Sequence, residues 1–223
     1  MDPGRYSWAM DLYGRKEAST GQKVLIVAAE VAWLAVSYAV LFGSRGGGTR
    51  ALTLFAFNLA VFTRFLATLV VFLRRRIPWE EAFSVCLAFG LYMVGFPLLA
   101  RPGDPFWGAE LAGIVLFLAG SLVNTLSEYQ RHRFKARSEN RGRLYTGGLF
   151  SASMHVNYFG DLAWITGYAC VTGTVWAFAV PVLLFVFFWF YNIPKLDAHL
   201  EERYGEEFRE YRRRTRRLIP YLL

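Results

Sequence analysis

The chain has 223 residues, of which 55% are hydrophobic, 17% aromatic and only 19% charged. Soluble domains average about 25% charged residues, so this composition argues against a water-soluble globular protein and for one that uses lipid as part of its solvent. The net charge of +8 raises the question of nucleic acid. The basic runs lie beside apolar segments, where cation enrichment follows from membrane topology and anionic lipid headgroups, so no nucleic-acid partner is expected.

From the N-terminus, Met1 to Lys23 is polar and aromatic, with Tyr6, Trp8 and Tyr13 suited to the headgroup region, and is expected to lie along the interface. Four apolar stretches follow: Val24 to Phe42, Ala51 to Leu73, Ala82 to Ala100 and Phe106 to Leu126. Each is near the ~20 residues that a spanning helix needs. A fifth and sixth span share Asn157 to Tyr191, turning near Thr172-Gly173-Thr174, each close to the lower limit of about 17 residues. No cleavable signal peptide is visible, and the first span is expected to act as the insertion signal. The segment 127–156 is read as a cytoplasmic loop. Beyond Lys195 comes a cytoplasmic tail, 195–223, in which Leu196, Leu200, Tyr204, Phe208 and Tyr211 recur at spacings of three and four and predict a helix over Asp197 to Arg217. The expected fold is therefore all-α, a polytopic membrane helical bundle of about six transmembrane helices in a single integral membrane domain, 1–223.

Six spans place both termini on one side. Counting Lys and Arg by side gives 21 with the termini and three opposite (Arg45, Arg50 and Arg101), with Arg64 inside the second span. That bias predicts cytoplasmic termini in a bacterial inner membrane or endoplasmic reticulum.

Glu30 and Arg64 fall deep inside spans. Glu30 lies about seven residues into the first and Arg64 about ten from the end of the second, both roughly 10 to 15 Å deep. A charge at that depth costs at least ~2.5 kcal/mol, so each needs a cavity, a task or a partner, and a Glu30–Arg64 ion pair is one solution. Nearer the cytoplasm, Asn124 and Glu128 stand four apart and share a helix face, and Asn157 and Asp161 repeat the spacing. Between the pairs lie Lys135, Arg141, Arg143 and Gly147-Gly148. Amides and carboxylates suit a ligand's amide or ribose, and cations suit its phosphates. Either pair alone also reads as ordinary interface residues. His155 and His199 lack partners at metal spacing, Cys86 and Cys170 sit in spans without a Cys/His grouping, and no Gly-x-Gly-x-x-Gly turn is present, so neither metal nor a Rossmann-type nucleotide site is expected.

These motifs, taken in order, resemble the steroid 5-alpha-reductase and sterol C14-reductase superfamily: Asn124-x-x-Ser127-Glu128-Tyr129, Gly147-Gly148-Leu149-Phe150, Asn157-Tyr158-Phe159-Gly160-Asp161 and Leu218-Ile219-Pro220-Tyr221. Upstream, Tyr13-Gly14-Arg15-Lys16 and Glu30 are similar to further family motifs. The resemblance implies an NADPH-dependent reductase that transfers hydride to a carbon–carbon double bond conjugated to a carbonyl in a lipidic substrate. It implies Glu30 as the catalytic acid at the carbonyl. Arg64, Arg75, Asn124, Glu128, Lys135, Arg143, Asn157, Asp161 and Tyr204 would be its cofactor contacts.

Departures from the family pattern accompany the match. Val61 stands where the steroid reductases carry a tyrosine, leaving Tyr38 or Tyr92 as other hydroxyls or a substrate other than a 3-oxo-4-ene steroid. The family's usual first span is expected to be missing, and Pro194-Lys195-Leu196-Asp197 replaces a His/Arg-rich stretch. Two alternatives stand beside the reductase. One is a methyltransferase using S-adenosylmethionine, of the isoprenylcysteine carboxyl methyltransferase type, whose Arg-His-Pro signature is here Met154-His155-Val156. The other is a non-catalytic lipid-binding protein.

Overall fold

A computed structural model describes residues 19–44, 46–73, 76–103 and 107–222. The expected interfacial segment up to residue 18, with Tyr13-Gly14-Arg15-Lys16, lies outside them, as does Arg75. Every regular element among the described residues is helical. In chain order these are α1 (Thr20–Tyr38), α2 (Thr49–Ala67), α3 (Trp79–Gly90), α4 (Phe96–Leu99), α5 (Trp107–Ala136), α6 (Val156–Thr172), α7 (Ala179–Phe187), α8 (Ile193–Tyr204) and α9 (Glu206–Arg214), with π turns extending several of them. Five continuous helical stretches are long and apolar enough to cross a membrane: Thr20–Ser44, Thr49–Val71, Trp79–Leu99, Gly108–Ala136 and Val175–Tyr204. The remaining helix of the hairpin, α6, has 17 residues, and the chain turns at Gly173, where the sequence places the turn.

Large apolar side chains stay uncovered along these stretches. Leu52 is 61% exposed, Leu87 73%, Leu122 64% and Leu183 65%, which water would penalise and hydrocarbon does not. The protein is an integral membrane protein.

The chain forms two compact units. The first comprises Met1–Phe106 with Val171–Thr174. Here α1 buries Ile26, Glu30 and Ser37, spaced to share one face, and α2 buries Leu54, Phe57, Asn58 and Val61. Pro97 explains one polar contact in this unit. Lacking an N–H, it cannot take the carbonyl four residues back, that of Met93. The Asn58 amide fills the place, donating to Met93 O at 3.0 Å and to Ser37 Oγ at 2.7 Å. Lys23 acts similarly at a helix end, its Nζ donating to the carbonyls of Leu69 (2.6 Å) and Leu73 (3.1 Å).

The second unit comprises Trp107–Cys170 and Val175–Leu223. Its organising contact is α5 against α6, and glycines make it. A Cβ on Gly120 would lie 2.4 Å from Trp164 N, one on Gly160 2.7 Å from Asn124 N, and one on Gly167 2.6 Å from Gly113 O. The backbones therefore approach as closely as small residues allow, the usual device where lipid supplies no hydrophobic drive between helices. Gly113 and Gly120 stand seven apart on α5, and Gly160 and Gly167 stand seven apart on α6.

Two helix boundaries differ from the sequence reading. α5 does not stop near Leu126 but runs to Ala136, because the polar stretch after the span contains no Gly or Pro before Gly142 and pairs Glu128 with Arg131 across one turn. The C-terminal helix is not continuous over Asp197 to Arg217. It starts earlier, at Ile193, and breaks at Gly205, whose φ of 52° lies in the region that glycine adopts without strain.

Candidate functional site

The α5–α6 contact determines what the two amide–carboxylate pairs can do. The i, i+4 spacing puts Asn124 and Glu128 on one face of α5 and Asn157 and Asp161 on one face of α6, and the glycine contact brings those faces within hydrogen-bonding reach. Asn124 Nδ2 donates to Asp161 Oδ1 at 2.9 Å and to Asn157 O at 3.1 Å. Asn157 Nδ2 donates to Glu128 Oε1 at 3.2 Å. Trp164 Nε1 adds a donor to Asp161 Oδ1 at 2.9 Å, and Arg131 pairs with Glu128 at 2.5 Å. The two pairs are thus one polar network, with Asn157 buried and the carboxylates half-buried.

A second group continues the same face of α5. Asn124, Glu128, Arg131 and Lys135 are spaced by four, three and four, forming a stripe about 16 Å long at 1.5 Å per residue. At its end the Lys135 Nζ donates to Arg143 O at 2.6 Å and to Tyr204 Oη at 2.8 Å. Lys135, Arg143 and Tyr204, all singled out in the sequence, therefore meet. It is the carbonyl of Arg143 that is held, while the residue itself stays exposed. Glu207 accepts from Leu144 N at 3.2 Å through either oxygen. Tyr211 donates to Phe150 O at 2.5 Å, and burial pushes its phenol well above the ordinary value, so the donor proton stays in place. The loop carrying the cations is fastened on one side by α5 and on the other by α8 and α9. Within it, Gly148 has φ 55°, and a Cβ there would sit 2.3 Å from Gln130 Oε1, the group that receives Leu149 N at 3.0 Å.

The membrane-depth residues of the first unit decide between the alternatives left open by their depth. Glu30 is fully buried, and neither carboxylate oxygen has a hydrogen-bond partner among the described residues. The hydrogen-bonded Glu30–Arg64 pair that their common depth allows is not formed. Arg64 is half-buried on α2, one turn beyond the fully packed Val61.

The sequence missed one arrangement. His155, without a partner by local spacing, donates through Nε2 to Asp197 Oδ1 at 2.8 Å, and Arg217 reaches Asp197 Oδ2 through Nε at 3.0 Å and a terminal nitrogen at 2.9 Å. The partners are separated by 42 and 20 residues, beyond any periodic signal.

A family model described as Protein of unknown function (DUF1295) matches residues 79–215, more than half of the chain, including the network of Asn124, Glu128, Asn157 and Asp161. The chain belongs to the DUF1295 family. Three relatives illustrate its setting. This DUF1295 protein is 32% identical over 93 residues to the Ustilaginoidea virens protein named Probable O-methyltransferase ustE, covering 41% of the chain and 32% of that relative. It is 30% identical over 115 residues to 3-oxo-5-alpha-steroid 4-dehydrogenase 1 of Bos taurus, covering 51% of the chain and 42% of the enzyme. It is 25% identical over 230 residues to 3-oxo-5-alpha-steroid 4-dehydrogenase 2 of Rattus norvegicus, covering 94% and 87%. The first two alignments thus span less than half of the relatives' own length. Together these findings bear out the resemblance to the steroid 5-alpha-reductase superfamily, and the relatives are named for both oxidoreductase and methyltransferase activity.

Proposed function

We propose that this protein is a membrane-embedded NADPH-dependent reductase acting on a carbon–carbon double bond conjugated to a carbonyl in a lipidic substrate, with its cofactor contacts on the cytoplasmic side. The observation that carries the reading is the joined Asn124–Asp161 and Asn157–Glu128 network at one end of a helix stripe whose other end is cationic. The donor set fits such a dinucleotide: amides and carboxylates for its carboxamide and ribose hydroxyls, and Arg131, Lys135, Arg141 and Arg143 for its diphosphate and 2'-phosphate. Tyr204, already held by Lys135, would close beside them. Arg64 and Arg75 are proposed as further contacts on the resemblance alone. The steroid 4-dehydrogenase relatives support the redox class.

NADPH, when bound, supplies the hydride. The chain must meet the negative charge that then develops on the substrate's carbonyl oxygen, which requires a proton donor or oriented dipole in a site that excludes water. Glu30 is proposed for this task. It is a carboxyl withdrawn from water whose oxygens are not occupied by neighbours among the described residues, so in its protonated form it is able to donate to a substrate.

A methyltransferase is the second reading, favoured by the relative named as an O-methyltransferase. S-adenosylmethionine carries no phosphate, however, and would leave the cationic end of the stripe without a task. Ligand-induced thermal shifts separate the two, because a ligand that binds only the native state raises its apparent stability. NADPH is expected to raise the melting midpoint of the detergent-solubilised protein more than S-adenosylmethionine does. Asp161→Ala and Asn157→Ala should weaken NADPH binding by roughly ten- to a hundredfold, the equivalent of a lost hydrogen bond to a charged group of about 1.5 to 3 kcal/mol. Stabilisation by S-adenosylmethionine alone would establish the second reading instead.

A further inference from the structure

His155, Asp197 and Arg217 are absent from the cofactor contacts, yet they form a polar cluster in the same unit, with Arg217 half-buried. His155 and Asp197 have side chains only 2% and 6% exposed. Polar groups are kept out of water only when they are hydrogen-bonded, and both are, through the two oxygens of Asp197. The cluster does not stand alone. Met154 N donates to Arg216 O at 2.8 Å, His155 N to Arg217 O at 3.0 Å, and Ser153 Oγ to Leu218 O at 2.8 Å, so the segment 153–155 and the segment 216–218 are bound side by side. Arg217 also lies over the Trp189 ring, 5.3 Å from its centroid.

The position of this fastening in the chain gives it meaning. His155 O accepts from Phe159 N at 3.1 Å, making His155 the entry residue of α6. Its ring stacks on Tyr158 at 5.6 Å, and Tyr158 in turn stacks on Phe188 at 4.5 Å. Asn157 stands two residues further on, within the first turn of α6, with its amide aimed at Glu128. Where that turn begins, and how it is rotated, therefore decides whether Asn157 and Asp161 face the stripe on α5.

We infer that Asp197 is a positioning residue for the cofactor contacts of α6: through His155 and Arg217 it locks the C-terminal tail to the entry of that helix and so holds Asn157 in register with Glu128. The inference rests on the cofactor reading above. It makes the tail beyond α9 part of the binding machinery, although no residue of 216–218 is itself proposed to touch the nucleotide.

Two measurements on the detergent-solubilised full chain test it. Amide hydrogen exchange reports whether residues 153–161 and 215–220 open together, and NADPH titration reports affinity. Asp197→Ala is expected to accelerate exchange in both segments and to weaken NADPH about tenfold or more, since a small displacement of a positioning contact is costly. Asp197→Asn keeps an acceptor oxygen and the side chain's shape, so it should fold even if the alanine variant does not, and should fall between wild type and Asp197→Ala in both readouts. Glu202→Ala, an exposed change on α8, should alter neither. Faster exchange with unchanged NADPH affinity would reduce the cluster to a structural fastening and overturn the inference, as would unchanged exchange in both segments. A wild-type protein that binds no NADPH, while Asp197→Ala still loosens both segments, would overturn the cofactor reading and the positioning role with it.

Discussion

Glu30→Gln is expected to lower turnover by about 10²-fold or more, the usual size of a general-acid contribution, with NADPH affinity nearly unchanged. The glutamine keeps the shape and removes the acid. The fold should tolerate the change. An ion pair with Arg64 would make the same substitution strand a buried cation, at a cost of about 3 to 5 kcal/mol. The Glu30 oxygens instead have no hydrogen-bond partner among the described residues, so no counter-ion is lost by neutralising them. Turnover and thermal midpoint measured on one preparation distinguish the two cases. Lost turnover with a normal midpoint supports catalysis, a lowered midpoint makes Glu30 a structural residue, and wild-type values for both would remove Glu30 from the mechanism.

Gly160→Val is expected to damage both stability and nucleotide binding. A Cβ at that position lies 2.7 Å from Asn124 N and 2.9 Å from Gly120 O, backbone atoms that cannot swing aside, so α5 and α6 must separate. Overpacking of this kind costs typically 1 to 3 kcal/mol. The separation also lengthens the 2.9 Å bond from Asn124 to Asp161. NADPH affinity should fall by roughly tenfold or more, with a lower thermal midpoint in the same variant. Gly43→Ala is the control, since a Cβ there meets nothing within 4 Å. Unchanged affinity in Gly160→Val would mean that the α5–α6 approach does not set the site.

How much of this was legible in the sequence varies with the physical signal. The helices and the turn at Gly173 were legible because apolar length and a glycine break are local properties. The pairs Asn124/Glu128 and Asn157/Asp161 were legible as faces, from a spacing of four. That the two faces meet was not read. Its signal was present in Gly113, Gly120, Gly160 and Gly167, two small-residue pairs at a spacing of seven, which mark close helix contact. Whether Glu30 and Arg64 pair was left open for a different reason: residue count along a helix fixes depth but says little about azimuth. Two groups in one slab of membrane can face different neighbours. His155 with Asp197 and Arg217 had no local signature at all, because the pairing depends on the path of the tail after α9. The break of the C-terminal helix at Gly205 could have been read from the glycine, but the apolar spacing of three and four continues across it and suggested one helix.

The most direct test of the central claim is transfer of label from nucleotide to lipid. The purified protein is incubated with NADPH deuterated at its transferable position and a panel of lipid-soluble α,β-unsaturated ketones, with S-adenosylmethionine in a parallel reaction, and the products are read by mass spectrometry. The expected result is a saturated ketone carrying one deuterium on the carbon β to the carbonyl. That result includes loss of most of this product in Glu30→Gln with NADPH still bound. Methyl transfer from S-adenosylmethionine, with no deuterium delivered to any of the ketones, would contradict it.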